Sequence, residues 1–156
     1  MITKAWLKKE LRMSKSKALG SDDFSGFDFV KEILKGDPTC AVNFDRLQKH
    51  PKRGYIIFEF LLCEEAQSVN PHTSHPRRYW NKNSQKFISL YSVSKDLIAE
   101  LFLVNYAKKG TKHDDKIKVI KVLDLDNTGI LKEKIWDTNR SEFEKWFRKL
   151  NKESCT

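Results

Sequence analysis

Cysteine is scarce. Cys40, Cys63 and Cys155 are an odd number with no CxxC pair, which argues against a disulfide framework and fits thiols kept reduced inside a cell. No stretch reaches the roughly 18 consecutive apolar residues of a membrane span. The N-terminal residues lack the apolar core of a secretory signal, although the basic, weakly amphipathic residues 1–19 leave a transit peptide as an alternative. These absences make a cytoplasmic protein the expectation. There is no glycine-rich loop to cradle phosphate and no local context for a Ser/His/Asp or Cys/His nucleophile. Internal repeats, low-complexity tracts and domain linkers are lacking too.

What is present suits one domain. The chain has 156 residues, 39% of them hydrophobic and 12% aromatic, enough to bury a single core. The net charge is +9 with a pI near 9.4. Such a surface attracts polyanions, nucleic acid first and anionic membrane second. A merely lysine-rich solvated surface is the plain alternative. Trp6, Leu7 and Leu11 suggest a short helix over residues 3–13, and residues 14–25 read as a loop. Phe27, Val30 and Leu34 have helical spacing, and Gly36 with Pro38 stops that helix. Residues 41–47 alternate Val42 and Phe44 against Asn43 and Asp45, predicting a half-polar strand. Residues 48–53 form a hairpin connection, and Gly54–Leu62 is a second strand. Residues 64–81 read as a long loop, 83–98 as an amphipathic helix, and 101–106 and 117–125 as strands. A last helix opens with the capping box Ser141-Glu142-Phe143-Glu144. The order α, β, β, α, β, β, α contains a strand–helix–strand crossover. It predicts an α/β fold with a mixed central sheet flanked by helices.

The stretch Gly54-Tyr55-Ile56-Ile57-Phe58-Glu59-Phe60-Leu61-Leu62 is apolar almost throughout, as in a strand covered on both faces. Glu59 breaks the pattern. A buried carboxylate needs a partner or a metal, because desolvating its charge costs several kcal/mol. A hairpin turn centred on Lys52 would set Leu47 opposite Ile57 and Asp45 opposite Glu59. Facing side chains on paired strands have Cβ atoms about 4.5–5.5 Å apart. Two carboxylates there repel unless a divalent cation such as Mg²⁺ lies between them. The competing reading pairs the acid with Arg46, Arg53 or Lys86.

An acid on one strand, a hairpin, then an apolar strand with a second acid resembles the core of the restriction-endonuclease-like PD-(D/E)XK nucleases. The preceding helix and the following helix–strand unit resemble it too, over residues 27–106. The resemblance implies Mg²⁺ or Mn²⁺ held by Asp45, Glu59 and the backbone carbonyl of Phe60, with Glu32, or less readily Asp28, as the acid from the preceding helix. It implies hydrolysis of DNA phosphodiester bonds, and it allows a homodimer. Phe44 replaces the motif's proline. Leu61 stands where the catalytic lysine belongs, so the resemblance places that role on Lys86, one helical turn beyond Lys82.

The loop Pro71-His72-Thr73-Ser74-His75-Pro76-Arg77-Arg78-Tyr79-Trp80 combines arginine with aromatic residues. Arg77, Arg78, Tyr79, Trp80 and Lys82 are candidates for phosphate contact and base stacking. Alternatively, Tyr79 and Trp80 plug the core. His72, His75 and Cys63 match no strong zinc spacing. Asn105 is a polar residue in an apolar strand. Lys108, Lys109 and Lys112 form a basic tip, either a solvated turn or a phosphate contact. Asp124 to Gly129 reads as a turn, because Ile135 occupies the position of a calcium loop's closing glutamate. The leading expectation is a metal-dependent deoxyribonuclease. The alternatives are a non-catalytic nucleic-acid-binding protein on the same fold and a protein-interaction or inhibitor module.

Overall fold

Nine residues, Gly54–Leu62, form β2, and both of its faces are covered. In the computed structural model, which describes residues 25–155, this strand organises one five-stranded mixed sheet. The elements run α1 (Ser25–Leu34), β1 (Arg46–His50), β2, α2 (Trp80–Asp96), β3 (Glu100–Tyr106), β4 (Lys116–Asp126), β5 (Gly129–Asn139) and α3 (Arg140–Ser154). The strands lie side by side in sequence order. β2 and β3 are parallel, and every other neighbouring pair is antiparallel. A parallel pair cannot be joined by a tight turn, so α2 crosses over between them. The chain is thus a single α/β domain, with α1, α2 and α3 as the helices of its described residues.

Strand periodicity divides the core. Ile57, Leu101, Leu103 and Ile120 pack with Trp80, Phe87 and Leu90 of α2 on one face. Ile56, Phe58, Phe102, Val104 and Val119 meet Leu150 on the other, with Phe143, Trp146 and Phe147 of α3 packed against them. Alternate residues point to opposite faces; a strand sandwiched by two helices must therefore be apolar at nearly every position.

The hairpin register is the one expected from a turn at Lys52, with Leu47 opposite Ile57 and His50 opposite Gly54. Gly54 has φ +78°, a left-handed conformation that glycine adopts without a Cβ penalty. His50 fixes the turn: its Nδ1 accepts the backbone N–H groups of Lys52 and Arg53, each at 3.1 Å. Its Nε2 reaches Glu153 on α3.

Several boundaries differ from the sequence expectations. Residues 41–44 are not a strand, although Val42 and Phe44 pack against the α2-side core as their alternation suggests. α2 starts at Trp80 rather than residue 83. A 3₁₀ turn, Pro76–Tyr79, leads into it, and His75 Nδ1 accepts from Arg77 N. β5 is an additional strand. It is an edge strand with charges along its length and little burial, so it lacks a clean apolar alternation. Ser141 is not the cap of α3: Asn139 holds that position, and its side chain accepts from Glu142 N at 2.9 Å. α1 forms as its spacing predicts, but Phe27, Phe29, Val30 and Ile33 are each more than half exposed. The helix expected over residues 3–13 and most of the loop after it lie outside the described residues. Among the described residues no helix is long and apolar enough to cross a membrane.

At the start of β3, Glu100 accepts from Arg53 at 2.6 and 2.8 Å and pairs with Lys121 at 2.8 Å. Partial burial pushes its carboxyl upward, but the bonds from Arg53 and Lys121 outweigh burial and hold it below the usual glutamate value. A lowered carboxyl adds stability above the unfolded-state pKa and loses it as pH falls through the folded value. Glu100→Gln should therefore destabilise the fold by about 1–2 kcal/mol at pH 7. In urea melts at pH 3 to 7, the gap between variant and wild type should shrink toward the acid end.

Candidate active site

The α2-facing side of β2 borders a cavity of about 410 Å³, and Asp45, Glu59 and Lys86 all line it. Three elements deliver them. β2 carries Glu59 on the α2 face, in step with Ile57 and Leu61. The chain just before β1 carries Asp45. α2 carries Lys86, which precedes Phe87 and lies one turn before Leu90, the two residues that seat the helix on the sheet. Gln85 and Ser89 of α2 line the same cavity. Sequence reasoning passes over both, although each lies within one helical turn of Lys86.

Asp45 sits where the hairpin ladder ends. In the observed register, Phe60 of β2 would be partnered by Phe44, but residues 41–44 have left the sheet. The Asp45 carboxylate takes over and accepts Phe60 N at 2.7 Å. The main-chain N–H and C=O of one strand residue point to the same side, so the Phe60 carbonyl faces this opened edge as well.

Glu59 is 4% exposed. Its Oε1 is ion-paired with Lys86 Nζ, while Oε2 is buried with no hydrogen-bond partner. Burial pushes the carboxyl up and the nearby Asp45 charge adds to the rise, while the Lys86 ammonium and the Asp45 backbone N–H oppose it. Leu61 packs into the α2-side core and offers no polar atom. The ammonium that meets Glu59 comes from the helix.

The other sequence candidates scatter. Glu32 is exposed on α1 and does not line the cavity. Lys82 is exposed on α2, and Arg77 and Arg78 are exposed on the 3₁₀ turn. Arg78 lines a second cavity of about 440 Å³ that shares Lys86 with the first. Tyr79 is half-buried against Phe87, and burial pushes its hydroxyl up to about 12. Trp80 is a correction: it is buried, stacked on Phe87 at 5.6 Å, and donates Nε1–H to Asn127 O at 3.1 Å. Its ring belongs to the core and is not open to a base. Lys108 is exposed. Lys109, also exposed, lines a third cavity with Asp45, Arg140 and Arg148.

The histidines of the long loop are committed elsewhere. His72 Nε2 bonds Thr138 O at 3.0 Å, and His75 Nε2 lies 2.9 Å from Glu133. Asn105 donates to the carbonyls of Pro71 and Ser74, anchoring the same loop to the sheet. The chain from Asp124 to Gly129 includes a turn in which Asp126 accepts from Thr128 N and Oγ1. Among the described residues no three His, Cys, Asp or Glu side chains gather to hold a metal. The carboxylates lining the cavity are those of Asp45 and Glu59, with Asn43, Gln85 and Ser89 as its neutral oxygen-bearing side chains.

Comparison with protein-family models, with curated proteins and with solved structures gives no match. What fold and site define is an α/β domain in which two acids and a lysine meet between its second strand, the chain before its first strand and its crossover helix.

Removing Lys86 leaves a buried charge without its counter-ion. Lys86→Met should destabilise the protein by about 1–3 kcal/mol in denaturant melts. Glu59→Gln combined with Lys86→Met should be more stable than Lys86→Met alone, since no uncompensated carboxylate then remains.

Proposed function

We propose that this protein is a Mg²⁺- or Mn²⁺-dependent deoxyribonuclease with a restriction-endonuclease-like core, acting in the cytoplasm. The observation that carries the reading is the buried, unpartnered Oε2 of Glu59, in one cavity with a second carboxylate and a lysine. A carboxylate oxygen sealed in a sheet without a donor is an unfavourable arrangement; a hard cation would satisfy it. Asp45 and Glu59, with the Phe60 carbonyl, are oxygen donors of the kind Mg²⁺ takes, with water and phosphate oxygens for the rest of its shell.

The bound ion would polarise a phosphoryl oxygen and ease deprotonation of water. The chain's own groups supply the rest. Glu59 holds the Lys86 ammonium at the cavity, where it can orient water and offset charge building on the phosphate. Hydrolysis adds water across the phosphodiester: one P–O bond forms, the other breaks, and the leaving oxygen takes a proton. Arg77, Arg78, Lys82 and Lys109 lie outside the acids and suit the backbone on either side of the scissile bond.

A second reading is favoured by Leu61 at the motif's lysine position and by the ion pair that already engages Lys86. In it, the same surface binds nucleic acid without cutting. Salt dependence is expected under both readings, so cleavage decides between them.

Plasmid nicking with Mg²⁺ or Mn²⁺ should be lost in Asp45→Asn and Glu59→Gln, by on the order of a hundredfold or more. Calorimetric metal binding should weaken in both variants. Lys86→Ala should cut poorly while still binding metal. A wild type that binds DNA in a salt-sensitive way but nicks with neither ion supports the binding protein instead.

A further inference from the structure

The second cavity, about 440 Å³, lies beside the first and shares Lys86 with it. Its volume falls in the range of small-ligand pockets, roughly 300–1,000 Å³. Its lining is chemically specific. Arg78 and Lys86 bring two cations, and the Arg78 guanidinium makes no hydrogen bond or ion pair among the described residues. Tyr79 offers a half-buried ring, and its hydroxyl likewise has no partner there. Asn83 projects from the first turn of α2.

The floor holds the most informative residue. Asn105 is fully buried, and its Nδ2 is spent on the carbonyls of Pro71 at 3.2 Å and Ser74 at 2.8 Å. Its Oδ1 is buried with no partner. Because both N–H bonds are fixed by the loop, the amide cannot turn over to answer a ligand's acceptor. It can only accept. An acceptor locked in this way calls for an N–H donor.

Two cations at the rim, an aromatic ring and an unfilled acceptor are the complement of a nucleotide: phosphate, base face and base edge. We infer that this second cavity binds one unstacked nucleotide next to the scissile phosphate, with Arg78 and Lys86 on its phosphate, Tyr79 against the base and Asn105 Oδ1 accepting a base N–H. The inference rests on the reading above that the ligand is nucleic acid. It also specifies the substrate. Taking a base out of a duplex costs a few kcal/mol, least where the base is already unpaired, so the preferred substrate is single-stranded or frayed.

The test uses the full chain in excess chelator, titrated calorimetrically with deoxynucleoside 5′-monophosphates and, separately, with deoxyribose 5-phosphate. The nucleotides should bind on the order of tenfold tighter than the base-free sugar phosphate. Arg78→Ala should weaken both ligands and leave the melting temperature unchanged. In nitrogen–proton spectra the Asn105 side-chain amide should shift with nucleotide and not with sugar phosphate. Equal affinity for the two ligands, no binding of either, or a silent Asn105 amide overturns the pocket. Nicking by a protein that fails this titration would retain the nuclease and discard the pocket. A protein that passes it but never nicks would retain the pocket and discard the nuclease.

Discussion

One buried carboxylate constrains the whole arrangement. Glu59 lies in the strand that both helical layers cover, where a charge survives only with a counter-charge at hand. The parallel β2–β3 pairing demands a crossover, α2 is that crossover, and α2 brings Lys86. The ion pair is thus a consequence of topology: the element that closes the parallel connection also supplies the cation. A single lysine satisfies one of the carboxylate's two oxygens. The other is buried without a hydrogen-bond partner, and the chemistry proposed for this protein starts at that oxygen.

The same departure explains why the site is at an edge of the hairpin. Had residues 41–44 continued β1, the Phe60 N–H would bond a main-chain carbonyl and the hairpin would be closed. Because the chain peels away, a side-chain carboxylate must meet that N–H, and a main-chain carbonyl is left at the opening. Val42 and Phe44 still pack on the α2-side core, so the peeled segment is anchored by apolar contacts without ladder bonds. Packing and hydrogen bonding are separated here, and the gap between them is the cavity.

That separation also decides what could be read from the sequence. The apolar run Gly54–Leu62 and the hairpin register were legible because each rests on local signals: a long β-branched and aromatic stretch opened by a glycine, and a short turn before it. Lys86 was legible as a lysine of the helix that follows the strand, one turn beyond Lys82. β5 was not, because an edge strand has one neighbour and little burial, so its charged residues imitate a loop. The cap of α3 was misplaced because Ser141-Glu142-Phe143-Glu144 has the composition of a capping box, yet Asn139 lies two residues earlier, where the strand ends, and claims the first free N–H groups. Trp80 was ambiguous in principle. Arginine–aromatic clusters have one composition whether they stack on bases or on Phe87, and only the start of α2 at that residue turns the ring inward.

The long loop before α2 shows how far structure and binding can share residues. His72 and His75 hold it to β5, and Asn105 holds it to β3, so its length is not slack. Fixing the loop costs Asn105 both of its donors and leaves the amide's oxygen as a buried acceptor with a fixed direction. A polar network that closed completely would be inert. This one stops one bond short, at the floor of a cavity whose rim carries Arg78 and whose wall carries the lysine of the neighbouring site. The two fully buried, unpartnered side-chain oxygens of the described residues, on Glu59 and on Asn105, thus lie on the same face of the sheet, in two cavities that share Lys86. A polyanion with a base attached could satisfy both at once, through a cation at the first and directly at the second.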